Sequence, residues 1–142
     1  MAVQPDGQAE LERRNVMDNG NRENNSDKEN PDLPEGKRNY LIDIDGTICD
    51  DIPNEEPEKM VTAKMFPDAL KAINKWFNEG HSIYFFTSRT EEQRQITEEW
   101  LKRHGFNYHG LITGKPRGGN YYWIDNNFIK AVRYKGDFTD LE

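Results

Sequence analysis

An apolar run that ends in two acids constrains this chain more than any other feature. Tyr40-Leu41-Ile42 leads into Asp43-Ile44-Asp45-Gly46-Thr47, which reads as a buried strand stopping at a glycine turn. Alternate side chains of extended backbone project to the same side, so Asp43 and Asp45 face one cleft at the strand end. Carboxylates that close resist joint ionisation unless a cation stands beside them. A hard cation such as Mg²⁺ prefers carboxylate oxygens and keeps waters for a phosphate. The alternative is a merely polar turn, which is costly where two acids break a buried apolar run.

The rest of the chain repeats one pattern from about Arg38 onward. Pro67 to Glu79 places Ala69, Leu70, Ile73, Trp76 and Phe77 on one helical face, with Pro67 suited to the first turn and Gly80 to the stop. Ser82-Ile83-Tyr84-Phe85-Phe86 is a second buried strand closed by Thr87-Ser88-Arg89. Thr90 with Gln93 forms a capping-box pattern for the next helix, whose buried face is Ile96, Trp100 and Leu101 and which ends at Gly105. His109 to Thr113 reads as a third strand, and Tyr121-Tyr122-Trp123-Ile124 as a fourth that runs into Asp125-Asn126. Strands alternating with helices predict an α/β fold, a parallel sheet covered by helices on both faces. Ligands of such sheets bind at the carboxyl ends of the strands, where these polar groups fall.

Composition narrows the remaining choices. The chain has 142 residues, 34% of them hydrophobic, because residues 1–37 are rich in Asn, Asp, Glu and Gly. That stretch cannot bury enough surface to offset its ordering entropy, so a disordered tail over 1–37 and one domain over 38–142 are expected. A formal charge of −7 makes nucleic acid a poor partner, while a local cationic cluster still suits a small phosphorylated substrate. Cys49 is the one cysteine, which excludes an intrachain disulfide and fits a reducing compartment. With neither a secretory signal nor an apolar run of membrane-spanning length, a cytoplasmic protein that does not enter the membrane is expected.

Taken together, Asp43-Ile44-Asp45-Gly46-Thr47, Phe85-Phe86-Thr87-Ser88-Arg89, Gly114-Lys115-Pro116 and Trp123-Ile124-Asp125-Asn126 resemble, in order, the four signatures of the haloacid dehalogenase superfamily. The resemblance spans roughly Tyr40 to Asn127. It implies a Rossmann-like three-layer fold and a Mg²⁺-dependent phosphomonoester hydrolase working through an aspartyl-phosphate. By the same resemblance Asp43 is the nucleophile and Asp45 the acid and then the base. Thr87 hydrogen-bonds the phosphoryl group, Lys115 neutralises charge, and Asp43, Asp45 (through its carbonyl) and Asp125 hold the metal. Ser88 and Arg89 join Thr87 and Lys115 in binding substrate, the arginine as a bidentate grip. An acid at Asp45 suits phosphate esters rather than halides.

The segments between signatures leave no room for a cap domain. Capless relatives act on larger substrates or shield the cleft with a neighbouring subunit, so a homo-oligomer is expected. The second and third signatures look like those of short members linked to polysaccharide or heptose phosphate metabolism, which implies a sugar phosphate. Asn126 departs from the second acid usual in the fourth signature and implies weaker metal binding. Two other readings stand beside this one: a nucleic-acid end phosphatase, and a phosphate-binding module that has lost turnover. His81, His104 and His109 lack metal-ligand spacing, and Trp76, Trp100 and Trp123 read as core.

Overall fold

The computed structural model describes residues 33–138 and Leu141. The chain divides into two units, Met1–Gly36 and Lys37–Glu142. The expected tail lies, as far as residue 32, outside the described residues.

Strands β1 (Asn39–Ile42), β2 (Ser82–Phe86) and β3 (Gly110–Ile112) form a parallel sheet in the order β1-β2-β3. Parallel neighbours need a crossover. Helix α1 (Pro67–Asn78) makes the first and α2 (Arg94–Arg103) the second. The register sets Ile42 opposite Phe85 and Phe86 opposite Ile112, so the residues that follow each strand emerge along one edge. Close pairing depends on Gly110, where a Cβ would meet the Tyr84 ring at 2.5 Å. The α/β class and parallel sheet are as the alternation of apolar runs predicts. The segments 43–81 and 87–109 hold short 3-10 turns, Pro57–Met60 and Glu91–Gln93, and the helices just named, with no added domain among the described residues.

The core follows from the side chains each element turns inward. Ile83 and Phe85 of β2, Ala69, Ile73 and Trp76 of α1, and Trp100 and Leu101 of α2 are buried. Burying a large apolar side chain of this kind contributes about 1.5–3 kcal/mol. Trp100 satisfies its indole N–H on the Ala63 carbonyl at 3.1 Å, and Phe85 meets Phe106 edge to face. Phe138 returns the chain to this core, its N–H donating to Asp68 Oδ2 at 3.0 Å.

The expected fourth strand does not form. Gly118, Gly119 and Asn120 take φ of 106°, 76° and 60° in succession, a run of positive φ that turns the chain away from an extended path after Arg117. Tyr121 to Ile124 then lie exposed, Ile124 at 93%, without strand pairing. The reading of Trp123 as core fails with the strand. β3 is also shorter than expected, without His109 and Thr113.

Candidate active site

β1 delivers Asp43 to the sheet edge, and the turn that follows is tied by local hydrogen bonds. Thr47 and Ile48 N–H donate to the Ile44 carbonyl and Gly46 N–H to that of Cys49, with Gly46 at φ 80°, a value glycine adopts without strain. The Asp43 carboxylate is held at both oxygens. Lys115 Nζ donates to Oδ1 at 3.0 Å and Thr47 Oγ1 to Oδ2 at 3.1 Å. Its side chain remains 40% exposed, against 12% for Lys115, so the carboxylate is both fixed and open to solvent. Lys115 Nζ also lies over the rings of Phe86 and Tyr121, whose faces favour a cation.

Two backbone contacts weld the loops after β2 and β3. Lys115 N–H donates to the Thr87 carbonyl and Gly114 N–H to that of Arg89, each at 2.9 Å. Residues distant in sequence, Asp43, Thr87 and Lys115, are thereby assembled. Thr87 is buried, and its Oγ1 accepts the Arg89 N–H at 3.1 Å. Ser88 Oγ reaches the Pro116 carbonyl at 3.5 Å, while its own carbonyl accepts from Asn54 Nδ2 at 2.9 Å.

Arg89 is not placed as a grip for substrate. It is 2% exposed, and its guanidinium is taken up by Asp45 and Thr97. Nε donates to Asp45 Oδ2 at 2.9 Å, Nη2 to Oδ1 at 2.7 Å, and Nη1 to Thr97 Oγ1 at 2.9 Å. The two carboxylates expected to need a metal between them are thus each countered by a protein cation, Asp43 by Lys115 and Asp45 by Arg89.

Asp125 does not join them. It follows the exposed run, and its carboxylate accepts from Asn127 N–H at 3.0 Å and Trp123 Nε1 at 3.3 Å. The Asn127 contact, with that of Trp123 next, holds its pKa below the usual value. No group of three His, Cys, Asp or Glu side chains among the described residues converges as a metal site. The three side-chain carboxylates of Asp43, Asp45 and Asp125 thus do not gather into one group, and a metal here would rest on Asp43, Asp125 and the Asp45 backbone carbonyl. The run that carries Asp125 follows the turn at Gly118 to Asn120 and pairs with no strand among the described residues.

Several partners were not assigned from the sequence. Thr47 lay within the first signature without a role. Asn54 reaches the site from a turn and Thr97 from α2, and nothing in their neighbourhoods marks them. Cys49 is buried beside the turn, and burial, with the charge of Asp45 next, pushes its thiol up to about 12. His81 and His109 accept backbone N–H groups at Nδ1, consistent with structural roles. No helix among the described residues is long and apolar enough to cross a membrane.

Residues 40–135 match the family described as PITM 1-3, LNS2 domain. The human membrane-associated phosphatidylinositol transfer protein 2 is 25% identical over 109 residues, 77% of this chain and 7% of that protein. A putative nucleotidase of Bacillus cereus is 36% identical over 44 residues, 31% of this chain and 23% of its own length. The chain thus spans a minor part of both. A chain of the Pnkp1/Rnl/Hen1 complex shares the fold at a TM-score of 0.50 and 19% identity, over 63% of this chain and 31% of that one.

Proposed function

The chain belongs to the LNS2 domain family of PITM 1-3, matched over residues 40–135, and from that premise we propose that it is a haloacid dehalogenase-type phosphomonoester hydrolase with Asp43 as nucleophile. The observation that carries the reading is the state of Asp43, solvent-open yet held at both oxygens by Lys115 and Thr47. A nucleophile must be reachable and aligned, and pre-alignment removes much of the entropic barrier. The putative nucleotidase match supports phosphate ester chemistry.

In this reading an Asp43 oxygen attacks phosphorus, the O–P bond forms and the ester P–O bond breaks. The departing oxygen takes a proton from Asp45. Asp45, now a carboxylate, removes a proton from water, whose oxygen attacks the phosphoenzyme. The Asp43 O–P bond breaks, and inorganic phosphate leaves. Lys115 supplies positive charge beside the transferring group, the main demand of such a transition state. Mg²⁺ would add to that charge, with Asp43, the Asp45 carbonyl and Asp125 as the groups that would hold it, and no step is routed through it. A small sugar phosphate is the favoured substrate on the resemblance of the second and third signatures, and the acidic chain disfavours a polynucleotide. A second copy shielding the uncapped cleft belongs to the same reading, and light scattering should then show more than a monomer.

The test is phosphate release from p-nitrophenyl phosphate, sugar phosphates, nucleotides and 3′-phosphorylated oligonucleotides, with Mg²⁺ and with EDTA. Wild type should turn over sugar phosphates fastest, and Asp43→Asn should fall to background while keeping its fold by circular dichroism. Near-normal turnover of Asp43→Asn would end the covalent reading, and preference for the oligonucleotide would move the assignment to end processing.

A further inference from the structure

We propose that Arg89 is the positioning residue of Asp45, acting on the second half of the reaction without touching substrate. The inference rests on the hydrolase reading above and adds to it a division of labour between the two cationic side chains of the site.

The geometry is a fork. Nε and Nη2 of Arg89 meet the two oxygens of Asp45 at 2.9 and 2.7 Å, the bidentate arrangement that fixes a carboxylate in both position and plane. The guanidinium is itself fixed from behind. Nη1 donates to Thr97 Oγ1 at 2.9 Å, and that hydroxyl donates to the Gln93 carbonyl at 2.8 Å. The Arg89 backbone is pinned by Thr87 Oγ1 and by Gly114 N–H. The chain from Gln93 through Thr97 and Arg89 to Asp45 is therefore continuous, and it starts at the N-terminal end of α2.

Burial decides what this arrangement is for. The Arg89 side chain is 2% exposed and that of Asp45 15%. A buried ion pair is often no more stabilising than apolar side chains of the same volume, so fold stability alone is a weak account of it. At 2% exposure the guanidinium has no open face for a ligand, whereas Asp45 keeps 15% of its side chain exposed. Each carboxylate oxygen has two lone-pair sites. The fork takes one on each oxygen and leaves the others for a proton.

The chemistry separates the two half-reactions. The fork complements a carboxylate anion, the form of Asp45 that takes a proton from water as the Asp43 O–P bond breaks. Formation of the phosphoenzyme from p-nitrophenyl phosphate hardly needs an acid, since the leaving group departs unaided. Loss of Arg89 should therefore leave the first step and slow the second, as loss of Asp45 should. Misplacing a catalytic group by an ångström costs on the order of 100-fold in rate. A residue that grips substrate would instead raise KM.

The experiment is burst and steady-state kinetics with p-nitrophenyl phosphate on wild type, Arg89→Lys, Arg89→Met, Asp45→Asn and the double variant Arg89→Met/Asp45→Asn. The expected result for Arg89→Met is a retained burst, kcat down about 100-fold and KM down with it, so that kcat/KM, which reports the first step, changes less than about twofold. The double variant should be no slower than Asp45→Asn, and Arg89→Lys should recover part of kcat. A rise in KM with kcat unchanged overturns the proposal by placing Arg89 on substrate, and so does a double variant that suffers both losses in full. If Arg89→Met does not fold, Thr97→Val replaces it, with a smaller fall in kcat and kcat/KM unchanged expected; unaltered kcat in that variant counts against the proposal. Nuclear magnetic resonance of the Arg89 Nε–H reports the fork without turnover. A sharp, slowly exchanging signal that is lost in Asp45→Asn supports the pair, and a fast-exchanging one in wild type refutes it. Wild type that releases phosphate from no substrate defeats the hydrolase reading itself, whereas active wild type with the wrong variant pattern defeats this proposal alone.

Discussion

Two short apolar runs of this chain have nearly the same character and opposite fates. In β2, Ile83 and Phe85 are wholly buried, whereas in the run Tyr121 to Ile124 the exposures are 54%, 85%, 51% and 93%. β2 has a parallel neighbour on each side, while the later run follows three residues of positive φ. The difference teaches that apolarity permits a strand but pairing makes one, because a strand's backbone groups need partners and its side chains need a face to cover. The catalytic candidates divide along the same line. Asp43, Thr87 and Lys115 hang from paired strands and converge, and Asp125 hangs from the unpaired run and does not.

The sharpest test of this contrast is stability. Ile83→Ala should lower unfolding free energy by about 2–5 kcal/mol through lost burial and a residual cavity. Ile124→Ala should change it by less than about 0.5 kcal/mol, as for an exposed site. Urea denaturation of both variants measures the gap, and equal losses would mean that the exposed run is packed in solution.

A middle-sized effect is expected from Cys49, which belongs to the anchored half. Its thiol is raised from 9.0 to about 12 by burial first and the Asp45 charge second. Between those values the folded chain binds a proton that the unfolded chain has lost, so stability falls with rising pH. The contribution is whole below pH 9.0 and is lost as pH climbs through about 12. Melting temperatures across that window should decline more steeply in wild type than in Cys49→Ala. Alkylation of the native thiol at pH 8 should be slow and should accelerate in urea; fast native labelling would contradict the burial.

The smallest effect is assigned to Asp125→Ala. With its carboxylate engaged by Asn127 and Trp123, its loss should change turnover in EDTA by less than about threefold. A collapse of activity with or without Mg²⁺ would break the comparison, since it would require the run Tyr121 to Ile124 to reach the sheet edge.

Much of the anchored half was legible beforehand. The bounds of β2, the face of α1 and the turn after Asp43 follow from apolar spacing, Pro67 and Gly46, all local signals. The pairing of Arg89 with Asp45 was not legible, because it spans 44 positions and no local rule separates an arginine facing solvent from one facing a carboxylate. Thr47 could have been found, as a hydroxyl four residues after Asp43 on a tight turn. Asn54 and Thr97 could not.

The amino-acid order by itself determined which segments could be buried, where the chain must turn, and that two acids would stand at the end of a strand. These are consequences of side-chain polarity and backbone sterics within a few residues. Only the tertiary structure decided which cation each acid would meet and whether the last apolar run would join the sheet. Those outcomes depend on how distant segments compete for the same edge and the same charge, and such competition is resolved only when the elements pack.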